Sequence, residues 1–402
     1  MIKRIKADDV RLGMYIHEIR GNWLEHPFWR KSFKLDTQKD LDKLINCDLD
    51  EIWIDTNKGL DVTVCEKNNL EAQESSIKEI SEIASIKKTV MQVSIEEELS
   101  SAKKVHSKAK KVVISMFSDV RMGNALEIEE AESLVDEINQ SMERNPSALL
   151  SLIRLKNIDE YTYLHSVAVC MLMVALGRQL GLSGDQLKQA GTAGLLHDIG
   201  KMAIPNEVLN KPGKLTDEEF SIVRSHPQRG WEILKSCYQV KESALDVCLH
   251  HHERIDGQGY PEKLSGDALT MFARMGAICD VYDAISSARC YKKAWEPAEA
   301  IRKMASWKNG HFDETIFHAF VKTIGIYPSG TLLKLKSGRL GVVIEQSKKN
   351  LTTPIIKIFF STRANAHIPI EILDLSKATD IIENIEDPLK WHFDINTIQG
   401  IL

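Results

Sequence analysis

Six of the chain's thirteen histidines fall between His165 and His252, and four of those six sit in two short blocks, HDIGK at 197–201 and HHHERIDGQGYP at 250–261. Neutral imidazole nitrogens beside carboxylate oxygens are the donor set that iron, manganese or zinc takes. A chain that concentrates them in this way is constrained to fold so that separate segments converge on metal.

Composition narrows the rest. The 402 residues are enough for two or three domains, and 43% apolar content gives each a core to bury. A net charge of -5 argues against a duplex nucleic-acid partner, because phosphate contacts usually leave a basic excess. Any phosphate handled here is gripped locally. Seven cysteines include no CxxC pair, which fits a reducing compartment. The start MIKRIKADDV is charged, and the apolar run at 167–176 is far shorter than the roughly 20 residues that span a bilayer. The expectation is a cytoplasmic protein with no membrane partner.

Four segments can be distinguished. Residues 1–70 read as a small mixed α/β domain, with strand-like alternation at 51–55 and an aromatic cluster at Trp23, Phe28 and Trp29 that could face a signalling partner or form the domain's core. Residues 71–144 read as a helical linker or stalk. There Ile95, Leu99, Ala102, Val105, Ala109, Val112 and Met116 draw an apolar stripe, Met122-Gly123-Asn124 breaks it, and Ile128, Ala131, Val135, Ile138 and Met142 draw a second. The stripe needs a partner, either the next domain or a second copy in a homodimer. Residues 145–325 read as helix almost throughout, predicted at 159–180, 185–197, 217–225, 228–234, 242–252 and 268–287. Residues 326–402 turn β-branched, with strands predicted at 341–344 and 355–360. The fold class is thus mainly α, a helical catalytic bundle flanked by the small mixed domain with its helical linker and by a small β-rich C-terminal segment.

His197 and Asp198 end a helix whose last turn holds Ala193-Gly194, where little bulk blocks a neighbouring helix, and Gly200 is placed to close it in a left-handed turn. Pro227 favours extended backbone at His226, between a helix opened by the Thr216–Glu219 capping box and a fresh helix start. Successive helical side chains differ by about 100°, so His250, His251 and His252 cannot all face one point. His251 and His252 face inward, and His250 is the odd one out. Asp280 lies on an apolar helix face with Met275, Ile278 and Cys279, where an unpaired carboxylate is costly and a metal would compensate it. Asp283 follows one turn later and could orient a ligand or a water, and it is also counted among the candidate substrate-binding residues. Gly257 and Gly259 flank Gln258 in a loop able to approach a ligand closely, or in a plain tight turn.

Five blocks, YTYLHS at 161–166, HDIGK at 197–201, HP at 226–227, HHERIDGQGYP at 251–261 and CDVYDAISSARCYK at 279–292, resemble in order the motifs of the HD-GYP phosphodiesterases, a branch of the HD-domain phosphohydrolases. RLGMYI at 11–16 also resembles the domain of unassigned role that often precedes them. The resemblance implies a helical bundle carrying two or three metals, commonly iron or manganese, and hydrolysis of cyclic dinucleotides, chiefly cyclic di-GMP, to pGpG and onward to GMP. It makes His165, His197, Asp198 and Asp280 ligands of one metal and His226, His251 and His252 ligands of a second, with Asp198 as the bridge. Members with a third metal carry a Glu one turn before the first histidine. Tyr161 stands there, and Glu160 points about 100° away, so two metals are expected. Lys201 resembles the lysine beside the attacked phosphate. Arg289 and Lys292 resemble a phosphate-holding pair, and Tyr260 a substrate contact.

The chemistry implied is that of two cations activating a bridging hydroxide against phosphorus, with Lys201, Arg289 and Lys292 offsetting charge on the phosphate oxygens. Three alternatives stand beside it: another cyclic dinucleotide such as 3',3'-cyclic GMP-AMP, a silent cyclic-dinucleotide sensor that signals to partners, and a general HD nucleotidase.

Overall fold

The computed structural model describes residues 2–6, 10–19, 32–45, 51–60, 92–124, 126–153, 161–211, 213–287, 294–307, 310–347 and 350–393. Trp23, Phe28, Trp29, Glu160, Arg289 and Lys292 lie outside them, as do residues 61–70 of the expected first domain and 71–91 of the expected linker. The chain divides into two compact units, Met1–Val90 and Met91–Leu402.

In the first unit, strands β1 (Ile2–Lys6), β2 (Tyr15–Ile19), β3 (Phe33–Lys34) and β4 (Glu51–Asp55) form an antiparallel sheet in the order β1-β4-β2-β3, with helix α1 (Gln38–Ile45) between β3 and β4 in sequence. Ile16, Leu35, Leu44, Ile52 and Ile54 are fully buried in its core, the inward half of each period-2 or helical pattern.

The second unit opens with α2 (Ile95–Met122), α3 (Ile128–Arg144) and α4 (Pro146–Leu152). Ser94 and Glu97 cap α2 reciprocally, and Gly123 ends it in the left-handed conformation at φ 76°. The stripe expected to need a partner finds it within the chain: α2 packs on α3, α4 and α5 (Tyr161–Gln179), and Ala102, Val105, Ala109, Val112 and Met116 are buried. Glu98 is buried too, and Ser141 and Arg144 of α3 satisfy its carboxylate at 2.6–2.8 Å.

Helix α5 is surrounded by α6 (Asp185–Leu196), α11 (Met271–Ser286) and α13 (Glu314–Ile324), while α9 (His226–Lys235) and α10 (Glu242–His250) pack against each other. The short helix α7 (Asn206–Leu209), α8 (Asp217–Arg224) and α12 (Pro297–Ser306) complete the helical set among the described residues. Two sequence expectations change here. His226 is the first residue of α9, so the helix preference of the segment overrides the extended bias that Pro227 imposes. Gly200 lies inside the 3-10 turn Ile199–Ala203, where a Cβ would meet His226 O at 1.9 Å and Gly230 N at 2.5 Å. Its glycine is required by close approach, not by a left-handed turn. Gly194 does serve as expected, since a Cβ there would press on Cys170 Cα and Val169 O at 3.0 Å.

Strands β5 (Leu332–Leu335), β6 (Arg339–Glu345), β7 (Ile355–Ser361), β8 (Ala366–Asp374) and β9 (Ile382–Ile385) form a second antiparallel sheet, order β8-β7-β6-β5-β9, with buried clusters on both faces. No described helix is long and apolar enough to cross a membrane.

Candidate metal centre

Five segments bring donors to one place. His165 comes from α5, His197 and Asp198 from the end of α6, His226 from the start of α9, His251 and His252 from the end of α10, and Asp280 from α11. Their ligating atoms fall into groups whose members lie within 4.8 Å of one another: His165, His197 and Asp280; His226, His251 and His252; and His197, Asp198 and His251 between them. Asp198 is the hinge of this arrangement. Its Oδ2 lies 3.3 Å from both His165 Nε2 and His197 Nε2, while Oδ1 lies 3.2 Å from His226 Nε2 and 3.8 Å from His251 Nε2.

Hydrogen bonds decide which nitrogens are free to bind metal. A carbonyl oxygen only accepts, so the Nδ1 atoms of His197, His226 and His251 must carry protons that they donate to Gly194 O at 2.8 Å, Val223 O at 2.7 Å and Val247 O at 3.0 Å. Each Nε2 then carries a lone pair. Yet His226 Nε2 lies 3.2 Å from His251 Nε2, and His197 Nε2 lies 3.3 Å from His165 Nε2. Facing lone pairs repel unless a proton or a cation sits between them. The same tautomers explain why Asp198 Oδ1, buried and close to His226, has no hydrogen-bond partner. An orphaned carboxylate oxygen among unprotonated imidazoles fits a metal ion, and this donor set suits the borderline transition ions.

The electrostatics agree. Burial would raise both carboxyls, but Lys201 and His197 beside Asp198, and His165 and His252 beside Asp280, hold them well below the usual carboxylate range. Burial and the neighbouring His252, His197 and His226 hold His251 well below the usual imidazole value, so it stays a neutral donor. His252 is pushed down to about 3 by burial and His226, against the pull of Asp280. Burial also disfavours the His165 cation, yet hydrogen bonds to Asp198, Asp280 and Asp283 outweigh it and raise the group to about 9. A metal held beside His165 would have to displace a proton.

Among the remaining expected residues, Lys201 Nζ contacts Asp198 Oδ2 directly, at the edge of the cluster and partly exposed. Asp283 is fully buried and accepts a hydrogen bond from His165 Nδ1–H at 2.6 Å. That placement orients an imidazole; a direct contact with substrate is not what it provides. His250 turns away to Asp246 Oδ1 at 2.8 Å and Glu262 Oε2 at 3.3 Å. Tyr260 stacks on His252, with ring centroids 4.7 Å apart. Gly257, at φ 73°, makes a tight turn, and Gly259 packs internally, its Cβ position only 2.4 Å from Glu253 Cα.

Sequence reasoning passed over two residues. Glu253 is buried and accepts from the backbone N–H groups of Glu262 and Lys263 at 2.7 and 2.8 Å, tying down the turn that carries Tyr260. Its position directly after two inward histidines was the available signal. Arg224 lays its guanidinium 4.2 Å from the Tyr260 ring centroid, which no local pattern announces.

A helical bundle that gathers His and Asp donors around one buried carboxylate is the metal centre of an HD domain. Residues 132–316 match the family model described as HD domain, and residues 2–131 match a domain of unknown function, DUF3391. The chain is 52% identical to the cyclic di-GMP phosphodiesterase PA4108 of Pseudomonas aeruginosa over 98% of this chain and 94% of that protein. It is 36% identical to the cyclic di-GMP phosphodiesterase response regulator RpfG of Xanthomonas campestris, over 47% of this chain and 50% of that one. It is also 36% identical to the 3'3'-cGAMP-specific phosphodiesterase 2 of Vibrio cholerae, over 37% of this chain and 29% of that one. The chain belongs to the HD-GYP family.

Proposed function

We propose that the protein is a metal-dependent phosphodiesterase that opens cyclic di-GMP to pGpG, with GMP as the further product. The observation that carries this reading is Asp198, whose two oxygens face the Nε2 atoms of two separate groups of imidazoles. In the proposal, His165, His197, Asp198 and Asp280 hold one divalent ion and His226, His251 and His252 a second, with Asp198 shared; iron or manganese suits the donors best. Such a pair of ions, when bound, supplies an acidified water and Lewis-acid stabilisation of the phosphate.

The chain's own residues do the rest. Backbone carbonyls at Gly194, Val223 and Val247, and the carboxylate of Asp283, fix the imidazole rings with Nε2 forward. Lys201 offsets negative charge on the attacked phosphate, where phosphoryl transfer accumulates it. Tyr260 walls the side of the site next to His252. Arg289 and Lys292 are proposed as further phosphate contacts on the family resemblance. Cyclic di-GMP leads over 3',3'-cyclic GMP-AMP because a relative named for the first matches 98% of the chain, whereas relatives named for the second match 37%, 40% and 42% of it. A cytoplasmic location belongs to the same proposal, since such nucleotide signals are made and read inside the cell. No dimer stalk is included, because the stripe of α2 is buried within the chain.

The test is incubation of the manganese- or iron-loaded protein with a panel of cyclic dinucleotides, followed by chromatography. Conversion of cyclic di-GMP to pGpG supports the proposal. Tight binding of a cyclic dinucleotide without turnover favours a sensor instead, and turnover of mononucleotides alone favours a general nucleotidase.

A further inference from the structure

Helix α8 contributes no metal donor, yet one of its faces is turned toward the site. Asp217, Phe220, Ser221 and Arg224 follow at helical spacings of three and four, and together with Tyr260 and Pro261 they line an open cavity of about 380 Å³. Small-molecule sites begin at about 300 Å³, so the space suits a nucleobase with part of its ribose. The Tyr260 ring that stacks on His252 also carries the Arg224 guanidinium, so this cavity starts one ring away from the metal donors. Phe220 is 52% exposed, and the Arg224 guanidinium also lies 5.9 Å from its ring centroid, so the two side chains present one edge of the cavity together. Neither Asp217 nor Arg224 forms a hydrogen bond or ion pair among the described residues, and they are not spent on each other although they share the face.

We propose that this cavity is a guanine subsite, with Arg224 and Asp217 as the pair that selects the base. The inference rests on the phosphodiesterase reading above and names a contact for its substrate. Guanine turns two neighbouring acceptors, O6 and N7, toward one side and its N1–H and N2–H donors toward another, whereas adenine alternates acceptor and donor. A guanidinium, with donors only, and a carboxylate, with acceptors only, two turns apart on one helix match the first pattern and mismatch the second. Phe220 supplies a flat surface for the base, and base–aromatic stacking is tolerant of exact orientation. Arg224 is thus a specificity-determining residue, and the cation–π contact with Tyr260 holds it in place.

The experiment compares wild type, Arg224→Ala and Arg224→Lys in the manganese-loaded full chain, with cyclic di-GMP and cyclic di-AMP as substrates. A bidentate arginine–guanine contact discriminates by about tenfold or more. Arg224→Ala is expected to raise KM for cyclic di-GMP at least about tenfold, with a smaller change in kcat, and to narrow the preference over cyclic di-AMP. Arg224→Lys keeps the charge but loses the fork, and restores only part of the affinity. Calorimetric titration of cyclic di-GMP into metal-stripped protein reads the same loss without turnover. Wild-type turnover with an unchanged KM and base preference in Arg224→Ala overturns the subsite alone. A wild type that turns over no cyclic dinucleotide overturns the phosphodiesterase reading, and the subsite falls with it.

Discussion

Replacing Gly200 with alanine adds one methyl group and no charge, yet the structure gives it a large consequence. The new Cβ would stand 1.9 Å from His226 O and 2.5 Å from Gly230 N, both backbone atoms of α9, where real Cβ contacts stay above 3.0 Å. The 3-10 turn and α9 must separate by more than about 1 Å, well beyond what a side-chain rotation can absorb. Either direction of movement spoils the centre, because the turn follows Asp198 and carries Lys201 while α9 carries His226. A misplacement of about 1 Å costs on the order of 100-fold in rate, and overpacking of this kind costs about 1–3 kcal/mol in stability. Gly276→Ala is the matched control: its Cβ would press at 2.7 Å on Val247 Cγ1, the end of a side chain, and stands 3.7 Å from His251 Cβ. Kinetics with cyclic di-GMP, metal content and thermal unfolding should be measured on both variants. Gly200→Ala should lose about 100-fold in kcat/KM together with bound metal, and Gly276→Ala less than about tenfold. Wild-type rate and metal content in Gly200→Ala would refute the argument that this contact sets the donor geometry.

Three further outcomes are expected. Lys201→Ala should retain metal by elemental analysis while kcat falls by about 100-fold or more, as for removal of a group that stabilises developing charge. Asp283→Asn should weaken metal binding about 10–100-fold in a competition titration against a chelator, because His165 loses the anionic acceptor at 2.6 Å that orients its ring. Glu98→Ala should lower unfolding free energy at pH 7 by about 2 kcal/mol in urea, less than a fully buried pair would cost, because Arg144 is 31% exposed. Burial works against the Glu98 carboxylate, but Arg144 and Ser141 hold its pKa below the ordinary 4.5. A depressed carboxyl stabilises above its unfolded pKa and loses that contribution as pH falls through the folded one, so the gap between wild type and variant should close in acid, below about pH 4.

The donors themselves were legible because metal chemistry restricts residue type: histidines and aspartates that one ion can share stand out against an apolar helical background. The Thr216–Glu219 capping signal was equally plain, since it is a local hydrogen-bond pattern, and the β-branched runs after residue 330 carry their strand preference in each residue. What escaped depends on contacts between distant segments. Gly200 looked like a helix terminator because its partner, the backbone of α9, is unknowable from its neighbours in sequence. His226 was expected in extended backbone from Pro227 alone, while packing of α9 against the 3-10 turn and α10 favours the helix. The apolar stripe of α2 announced a need for cover without saying that α4 and α5 supply it. Arg224 gave no local sign, because its meaning lies in Tyr260, thirty-six residues away along the chain.

The central claim is that nitrogen lone pairs crowd around Asp198 because metal belongs between them. Its most direct measurement is elemental analysis of the full chain after anaerobic loading with ferrous iron or manganese and removal of loosely held ions, for wild type and Asp198→Ala. The account predicts about two ions per wild-type chain, as a shared-carboxylate site requires, and loss of both in the variant. A wild-type chain that retains no transition ion, or an Asp198→Ala chain that retains the full complement, would contradict it.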